Sequence, residues 1–185
     1  MFAQEVLPGD GLELRALGSD DIDDIACACQ DELIQKWLPL PRPYTREAAR
    51  AFVRDIAPHQ HTAGHGIVRA IDVGGRLGGV IDLKKTDWAA RVTEIGYWVA
   101  PWARGHGLAG RASRALANWA LTTQGMERVA IHAATENIAS HRAALSAGFT
   151  REGIARAAGF THDGRVDLLV FGKIKADLNR PVVGG

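Results

Sequence analysis

The sequence predicts one α+β domain in which helices flank a mixed, mostly antiparallel sheet. Apolar and polar residues alternate over several short runs, as they do in half-buried strands. Other runs repeat apolar residues at steps of three and four, which is typical of amphipathic helices. The chain has 185 residues, of which 46% are hydrophobic, and this is enough for one domain with its own core. We expect the domain to span residues 1–185, with its core at about 12–178.

The elements are predicted in the order β-α-α-βββ-α-β-α-ββ. The predicted strands cover residues 12–17, 67–73, 77–83, 93–99, 128–133, 149–157 and 166–174. The predicted helices cover residues 22–30, 48–56, about 104–121 and 138–147. Three prolines make residues 37–44 an irregular aromatic loop. Residues 1–11 and 180–185 are expected to be loose.

Composition excludes several classes of function. The net charge of +1 shows no basic excess for binding nucleic acid. No apolar run approaches the roughly 20 residues of a membrane span, and the N-terminus has no signal pattern, so we expect a cytoplasmic protein. Cys27 and Cys29 have neither disulfide nor metal spacing. Three histidines at 59, 61 and 65 lie in a loop-like run without a cysteine or carboxylate, so no metal is expected.

The junction between the strand at 93–99 and the following helix breaks the usual rules for a helix start. It reads Arg104-Gly105-His106-Gly107-Leu108-Ala109-Gly110, with no acid in the first turn and three glycines. A cation there opposes the helix dipole, at up to about 1 kcal/mol. A bound anion resolves these conflicts, because free N–H groups at a helix start bind phosphate and glycines allow close approach. The alternative is a glycine-rich turn with a solvated arginine.

The sequence also indicates which phosphate-containing ligands this site does not suit. Gly105, Gly107 and Gly110 formally spell the dinucleotide pattern G-x-G-x-x-G. That pattern needs its first glycine directly after a strand, and the segment 101–104, which begins with Pro101, intervenes here. A nicotinamide-dependent enzyme is therefore a poor fit. No P-loop pattern exists in the chain.

These residues resemble the GNAT N-acetyltransferases. Arg104-x-x-Gly107-x-Ala109 is similar to that family's Arg/Gln-x-x-Gly-x-Gly/Ala signature, which cradles the pyrophosphate of acetyl-CoA. The preceding run at 94–99, and the later runs at 137–140 and 147–149, resemble further family motifs. The RimJ/RimL branch, which acetylates N-termini of ribosomal proteins, is most similar. The resemblance covers residues 12–178 and implies the GNAT fold.

The resemblance also implies roles for particular residues. Backbone groups at Trp98 and Val99 would hold the pantetheine arm, and N–H groups of residues 104–109 (Arg104, Gly105, His106, Gly107, Leu108 and Ala109) would hold the pyrophosphate. Asn137 would contact the arm from the other side, or serve only as a helix cap. Ser140 is the candidate acid for the departing thiolate, or a plain first-turn serine. Glu94 is the candidate base, directly or through water, or a structural carboxylate; Asp82 is in reserve.

The acceptor is expected to be an amine that attacks acetyl-CoA directly. Deprotonation at pH 7 costs roughly 1.4 kcal/mol for an α-amine of pKa about 8, and roughly 4.6 kcal/mol for a lysine of pKa about 10.4. No histidine–acid pair is evident in the sequence, so an α-amine, such as a protein N-terminus, is the easier acceptor. A small-molecule amine, a longer acyl donor and a non-catalytic acyl-CoA-binding module stay open. Related proteins also make a homodimer an assembly to expect.

Overall fold

The structure is a computed structural model, and it describes residues 1–178. Eight strands form one sheet in the order β1-β2-β3-β4-β5-β6-β8-β7. The strands are β1 (Leu7–Gly9), β2 (Leu12–Arg15), β3 (Ile67–Val73), β4 (Arg76–Asp87), β5 (Val92–Val99), β6 (Arg128–Ala134), β7 (Thr150–Thr161) and β8 (Gly164–Ile174). The α-helices are α1 (Ile22–Ala28), α2 (Glu32–Trp37), α3 (Arg46–Ala51), α4 (Ala57–Thr62), α5 (Leu108–Thr122) and α6 (Ile138–Ser146). The predicted mixed, mostly antiparallel α+β fold is confirmed.

One pair of neighbouring strands differs from the others. Strands β5 and β6 are parallel and are joined through α5, whereas every other neighbouring pair is antiparallel. A parallel pair needs a crossover connection, and the amphipathic helix α5 supplies it. The C-terminal ends of β5 and β6 therefore lie at the same end of the sheet, and α5 begins there.

Each face of the sheet carries its own core. On one face, α5 and α6 pack against β-strand residues such as Ile81, Ile95 and Ile131. On the other face, α1, α3 and α4 pack against residues that include Val68 and Val80. Successive strand residues point to opposite faces, so a residue's parity decides which core it joins.

The N-terminal segment differs from the prediction, which was wrong in calling it loose. Phe2 is 2% exposed and stacks near Trp88 and Trp119, with ring centroids 4.7 and 5.8 Å away. Glu5 accepts a hydrogen bond from the Trp119 indole at 2.5 Å. Residues 7–9 then form β1 as an edge strand. These contacts join residues far apart in the chain, so no local pattern could indicate them.

Other elements also differ from the predicted ranges, and two differences are the largest. His59 and His61, which were expected in a loop, lie in α4, which continues directly from a π-helical turn at Phe52–Ile56 and has Pro58 at its start. Strand β4 continues to Asp87, past the expected end at Leu83, with a register shift between Lys84 and Asp87. The predicted loose tail at 180–185 lies outside the described residues. Within residues 1–178, no helix is long and apolar enough to cross a membrane.

Candidate active site

The site is organised by a split between β5 and β6. Their parallel register runs from Val92 with Arg128 to Ile95 with Ile131, and stops there. Beyond Ile95, β5 stays paired with β4 on its other side, up to Val99. The part of β5 beyond Ile95 therefore has one edge without a strand partner among residues 1–178. Such an edge can pair with the amides of an extended ligand.

The loop before α5 opens at the mouth of this split. Gly105 and Gly107 have φ angles of +86° and +67°, which favour glycine. Within residues 1–178, and apart from the adjacent residues in the chain, no heavy atom lies within 4 Å of where a Cβ would stand at either position. Gly107 is the residue before the helix, and no side chain of the described residues caps the helix start. The first N–H groups of a helix have no intrahelical acceptor. This loop, residues 104–109, is called the cradle below. It has free N–H donors and open space, and it fits the diphosphate of a CoA thioester.

The side chains of the cradle residues differ in their burial and contacts. The Leu108 side chain is buried in the core, so only its backbone can face a ligand, while His106 is exposed. The Arg104 guanidinium forms a two-pronged ion pair with Asp31, the residue that caps α2. This pairing lowers the pKa of Asp31. The arginine thus ties the cradle to the α1–α2 connection rather than pointing freely into the loop.

Two further arginines, Arg111 and Arg114, lie on α5. Arg111 donates to the backbone oxygens of Asp10 and His106, and Arg114 donates to the backbone oxygen of Ser146. Both guanidinium groups are therefore held by carbonyl groups at the side of α5, and nothing in these contacts directs them to a ligand.

One pair of hydroxyl groups bridges the split. Ser140 lies in the first turn of α6, where its N–H bonds to the Asn137 side chain at 3.2 Å. Its hydroxyl lies 2.6 Å from the Tyr97 hydroxyl, which belongs to β5 just past the last β5–β6 pair. Burial raises the pKa of Tyr97, although the Ser140 bond opposes this. Both groups therefore stay protonated at neutral pH and can donate a proton or hydrogen bond.

A second pair bridges the split on the opposite face. Glu94 Oε2 lies 3.0 Å from Nδ1 of His132, which is one residue past the last β5–β6 pair. The same carboxylate lies 2.9 Å from the Lys85 Nζ and 3.6 Å from the Lys84 Nζ. Burial alone would raise the pKa of Glu94, but His132 and the two lysines lower it to about 2. Glu94 is therefore a fixed anion and, alone, a weak base.

Asp82, the reserve candidate base, lies beside this cluster. One of its oxygens accepts the Gly96 N–H at 2.9 Å. A Cβ on Gly96 would stand 2.6 Å from Asp82 Oδ1 and 2.5 Å from the Lys84 Nζ, so glycine makes room for both groups. Burial raises the pKa of Asp82, although Lys84, Gln60 and the Gly96 N–H oppose that change. Asp82 is thus a stronger base than Glu94, but it is committed to these contacts.

A separate cleft lies apart from the cradle. It has a volume of about 650 Å³ and is lined by Asp55, Ile56, His59, Gln60, His65, Lys84 and Lys85. None of the predicted donor-site residues lines it. Among residues 1–178, no group of three or more His, Cys, Asp or Glu side chains is placed to hold a metal ion.

The structure therefore brings the predicted residues together around the split. Trp98 and Val99 end β5, residues 104–109 form the cradle, and Asn137 and Ser140 begin α6. Sequence reasoning missed two partners, Tyr97 and His132. The statement that no histidine–acid pair is evident is corrected by the Glu94–His132 contact. The register explains the contact: Glu94 pairs with Ala130, and His132 lies two residues further on the same face.

Comparison with known proteins agrees with this geometry. Residues 11–150 match the family described as Acetyltransferase (GNAT) domain. The chain is 31% identical over 180 residues to a Bacillus subtilis (strain 168) protein with the provisional name ribosomal N-acetyltransferase YdaF, covering 96% of this chain and 97% of that one. It is 28% identical over 177 residues to the Escherichia coli (strain K12) ribosomal-protein-serine acetyltransferase, covering 94% and 98%.

Solved structures show the same fold. Mycobacterium smegmatis RimJ in complex with CoA-disulfide superposes with a TM-score of 0.86 at 17% identity, covering 97% of this chain and 91% of that one. The match to the domain family spans most of the chain and includes β5, the cradle and α6. The chain belongs to the GNAT acetyltransferase family.

Proposed function

We propose that this enzyme transfers the acetyl group of acetyl-CoA to the N-terminal α-amine of a ribosomal protein. The observation that supports it most is the split with its two bridges. The Tyr97–Ser140 hydroxyls lie on one face and the Glu94–His132 pair on the other. A thioester held between them would have proton donors on one side and a basic side chain on the other. The names of the two curated relatives support a ribosomal acceptor.

The donor would enter along the free edge of β5. Backbone groups at Trp98 and Val99 would pair with the pantetheine amides, and N–H groups of residues 104–109 would hold the diphosphate. Asn137 would contact the arm from the α6 side. These contacts position the thioester so that its reaction with the amine needs no covalent enzyme intermediate.

The chemistry then needs two proton movements. The amine attacks the thioester carbonyl, a C–N bond forms and the C–S bond breaks with its electron pair going to sulfur. In our proposal, Ser140 protonates the departing thiolate, and Tyr97 holds and re-supplies its hydroxyl hydrogen. Glu94 takes part on the opposite side, where the ammonium proton must leave. An α-amine suits this site because it releases its proton about 3 kcal/mol more cheaply at pH 7 than a lysine does.

A thiol-release assay with acetyl-CoA would test the proposal. The panel contains peptides with free N-terminal serine or alanine, the same peptides with blocked N-termini and an internal lysine, and free lysine, polyamines and aminoglycosides. We expect turnover only of the free N-termini. Turnover confined to a small-molecule amine would show that the acceptor is that amine and not a protein N-terminus. Tight CoA binding without turnover of any amine would favour a non-catalytic acyl-CoA-binding module.

Two accompanying proposals concern the protein's surroundings. We place the protein in the cytoplasm, because ribosomal acceptors are made there. We also keep the homodimer as a prediction that rests on the resemblance to related proteins. Sedimentation of the purified chain with and without CoA would distinguish a dimer from a monomer.

A further inference from the structure

The Glu94–His132 pair has a geometry that goes beyond a structural contact. The Nδ1 atom of His132 lies 3.0 Å from Glu94 Oε2, which is hydrogen-bonding distance. An ionised carboxylate only accepts hydrogen bonds, so Nδ1 must carry the hydrogen. In the neutral imidazole, this leaves the lone pair on Nε2. The carboxylate therefore fixes both the ring and its tautomer.

The Nε2 atom of His132 is free to meet a ligand. No hydrogen bond to this atom exists within residues 1–178, and the side chain is 28% exposed. His132 lies one residue beyond the last β5–β6 pair, so it stands where the two strands begin to separate. An unoccupied basic nitrogen thus stands at the split, on the face opposite the Tyr97–Ser140 hydroxyls.

The charges around His132 come from several strands. From β4, Lys84 and Lys85 approach the other side of Glu94, and Asp82 lies next to Lys84. From β7, Glu152 faces His132 but is ion-paired with Arg128. From β8, the residue opposite His132 is the apolar Val170. Among residues 1–178, Glu94 is the one carboxylate that contacts the ring directly, so it is the group that stabilises an imidazolium.

We propose that His132 removes the proton from the acceptor amine through Nε2, with Glu94 as its positioning partner. This rests on the proposed acetyl transfer. As the amine nitrogen forms its bond to the acetyl carbon, one N–H proton passes to His132 Nε2. The C–S electron pair goes to sulfur, which takes a proton from Ser140. The imidazolium then releases its proton to water, Ser140 regains a proton from water through Tyr97, and the products are the acetylated amine and CoA thiol.

This assignment resolves the weakness of Glu94 as a base. A carboxylate with a pKa of about 2 has little affinity for a proton from an amine. An ordinary imidazole has a pKa of about 6.5, about 1.5 units below an α-amine and about 4 units below a lysine. A histidine base therefore matches an N-terminal acceptor better than a lysine side chain.

The test compares His132→Gln, His132→Ala and Glu94→Gln with the wild type. His59→Gln is the matched control, since His59 is exposed and outside the split. The acceptor is whichever amine of the panel the wild type turns over. We measure kcat from pH 5.5 to 9, CoA affinity by calorimetry, and the effect of added imidazole on His132→Ala.

We expect His132→Gln to lower kcat about 100-fold at pH 7 while CoA affinity stays within twofold, since a general base contributes about 10²–10⁴-fold. Wild-type kcat should fall at acid pH, where an imidazole base is protonated, and His132→Gln should lose this limb. Imidazole should restore His132→Ala at least tenfold. Glu94→Gln should keep the limb but lower kcat about tenfold.

The proposal is overturned if His132→Gln stays within threefold of the wild type, or if it keeps the same acid limb. If CoA affinity is unchanged in the variant, the variant is folded, and a lower kcat cannot be attributed to a folding defect. Wild-type turnover decides the proposed function separately. Acetylation of a polyamine instead of a peptide would refute the N-terminal acceptor. The role of His132 would then be tested by the same comparison of variants with the polyamine as substrate.

Discussion

Replacement of Glu94 by glutamine should destabilise the protein in a pH-dependent way. The side chain is 11% exposed and contacts His132, Lys84 and Lys85. A fall in its pKa from 4.5 to about 2 corresponds to about 3.4 kcal/mol of stabilisation of the ionised form. Glutamine keeps the shape and some hydrogen bonding, so we expect a loss of about 2–3 kcal/mol at pH 7. For a chain of this length, that lowers the Tm by about 5–10 °C.

The sign of the pH dependence follows from the lowered pKa. A carboxyl whose folded pKa lies below its unfolded pKa stabilises the fold fully above the unfolded value, about 4.5 here, and loses this contribution as the pH falls towards 2. The contribution of about 3.4 kcal/mol at pH 7 becomes about 2.6 kcal/mol at pH 4 and about 2 kcal/mol at pH 3.5. The gap between wild type and Glu94→Gln should therefore narrow with falling pH.

Urea unfolding of both proteins at pH 7, 5.5 and 4 measures this gap. Glu13→Gln is the control, because Glu13 is an exposed residue of β2, and its substitution should change the unfolding free energy by less than about 0.5 kcal/mol. A Glu94→Gln protein as stable as the wild type at pH 7 would refute the ion-pair cluster. A gap that widens as the pH falls would refute the lowered pKa.

Two other substitutions test the split. Gly107→Ala should weaken CoA binding about five- to tenfold by calorimetry, because φ of +67° costs a residue with a Cβ about 1–2 kcal/mol in a loop that must hold the diphosphate. Gly74→Ala, at φ +64° with equally open space, should lose similar stability and keep CoA affinity; equal CoA loss in both would contradict the cradle. Tyr97→Phe removes the hydroxyl 2.6 Å from Ser140 and should lower kcat about tenfold with unchanged CoA affinity. Unaltered kcat would show that Tyr97 does not support the acid.

The parts of the site that the sequence predicts are those formed by neighbouring residues. The end of β5, the cradle and the start of α6 are each specified over a few positions. The change from a two-residue to a 3.6-residue period, the glycines and the Asn137 cap all lie within one segment. The fold class followed from the same local patterns.

The missing parts depend on contacts between distant segments. The Glu94–His132 pair requires the parallel register of β5 and β6, and the Tyr97–Ser140 pair requires α6 to lie over the end of β5. The ion pair of Arg104 joins the cradle to the α1–α2 connection across 73 positions of sequence. Single-sequence periodicity carries no information about such registers, so these partners become visible only in the folded chain.

A crystal structure with CoA would test the central claim most directly. The account predicts the diphosphate within hydrogen-bonding distance of N–H groups in residues 104–109, and the pantetheine amides paired to the edge of β5 beyond Ile95. It also predicts the thiol between the Tyr97–Ser140 and Glu94–His132 pairs. CoA bound instead in the 650 Å³ cleft beside Lys84 and Lys85 would contradict it.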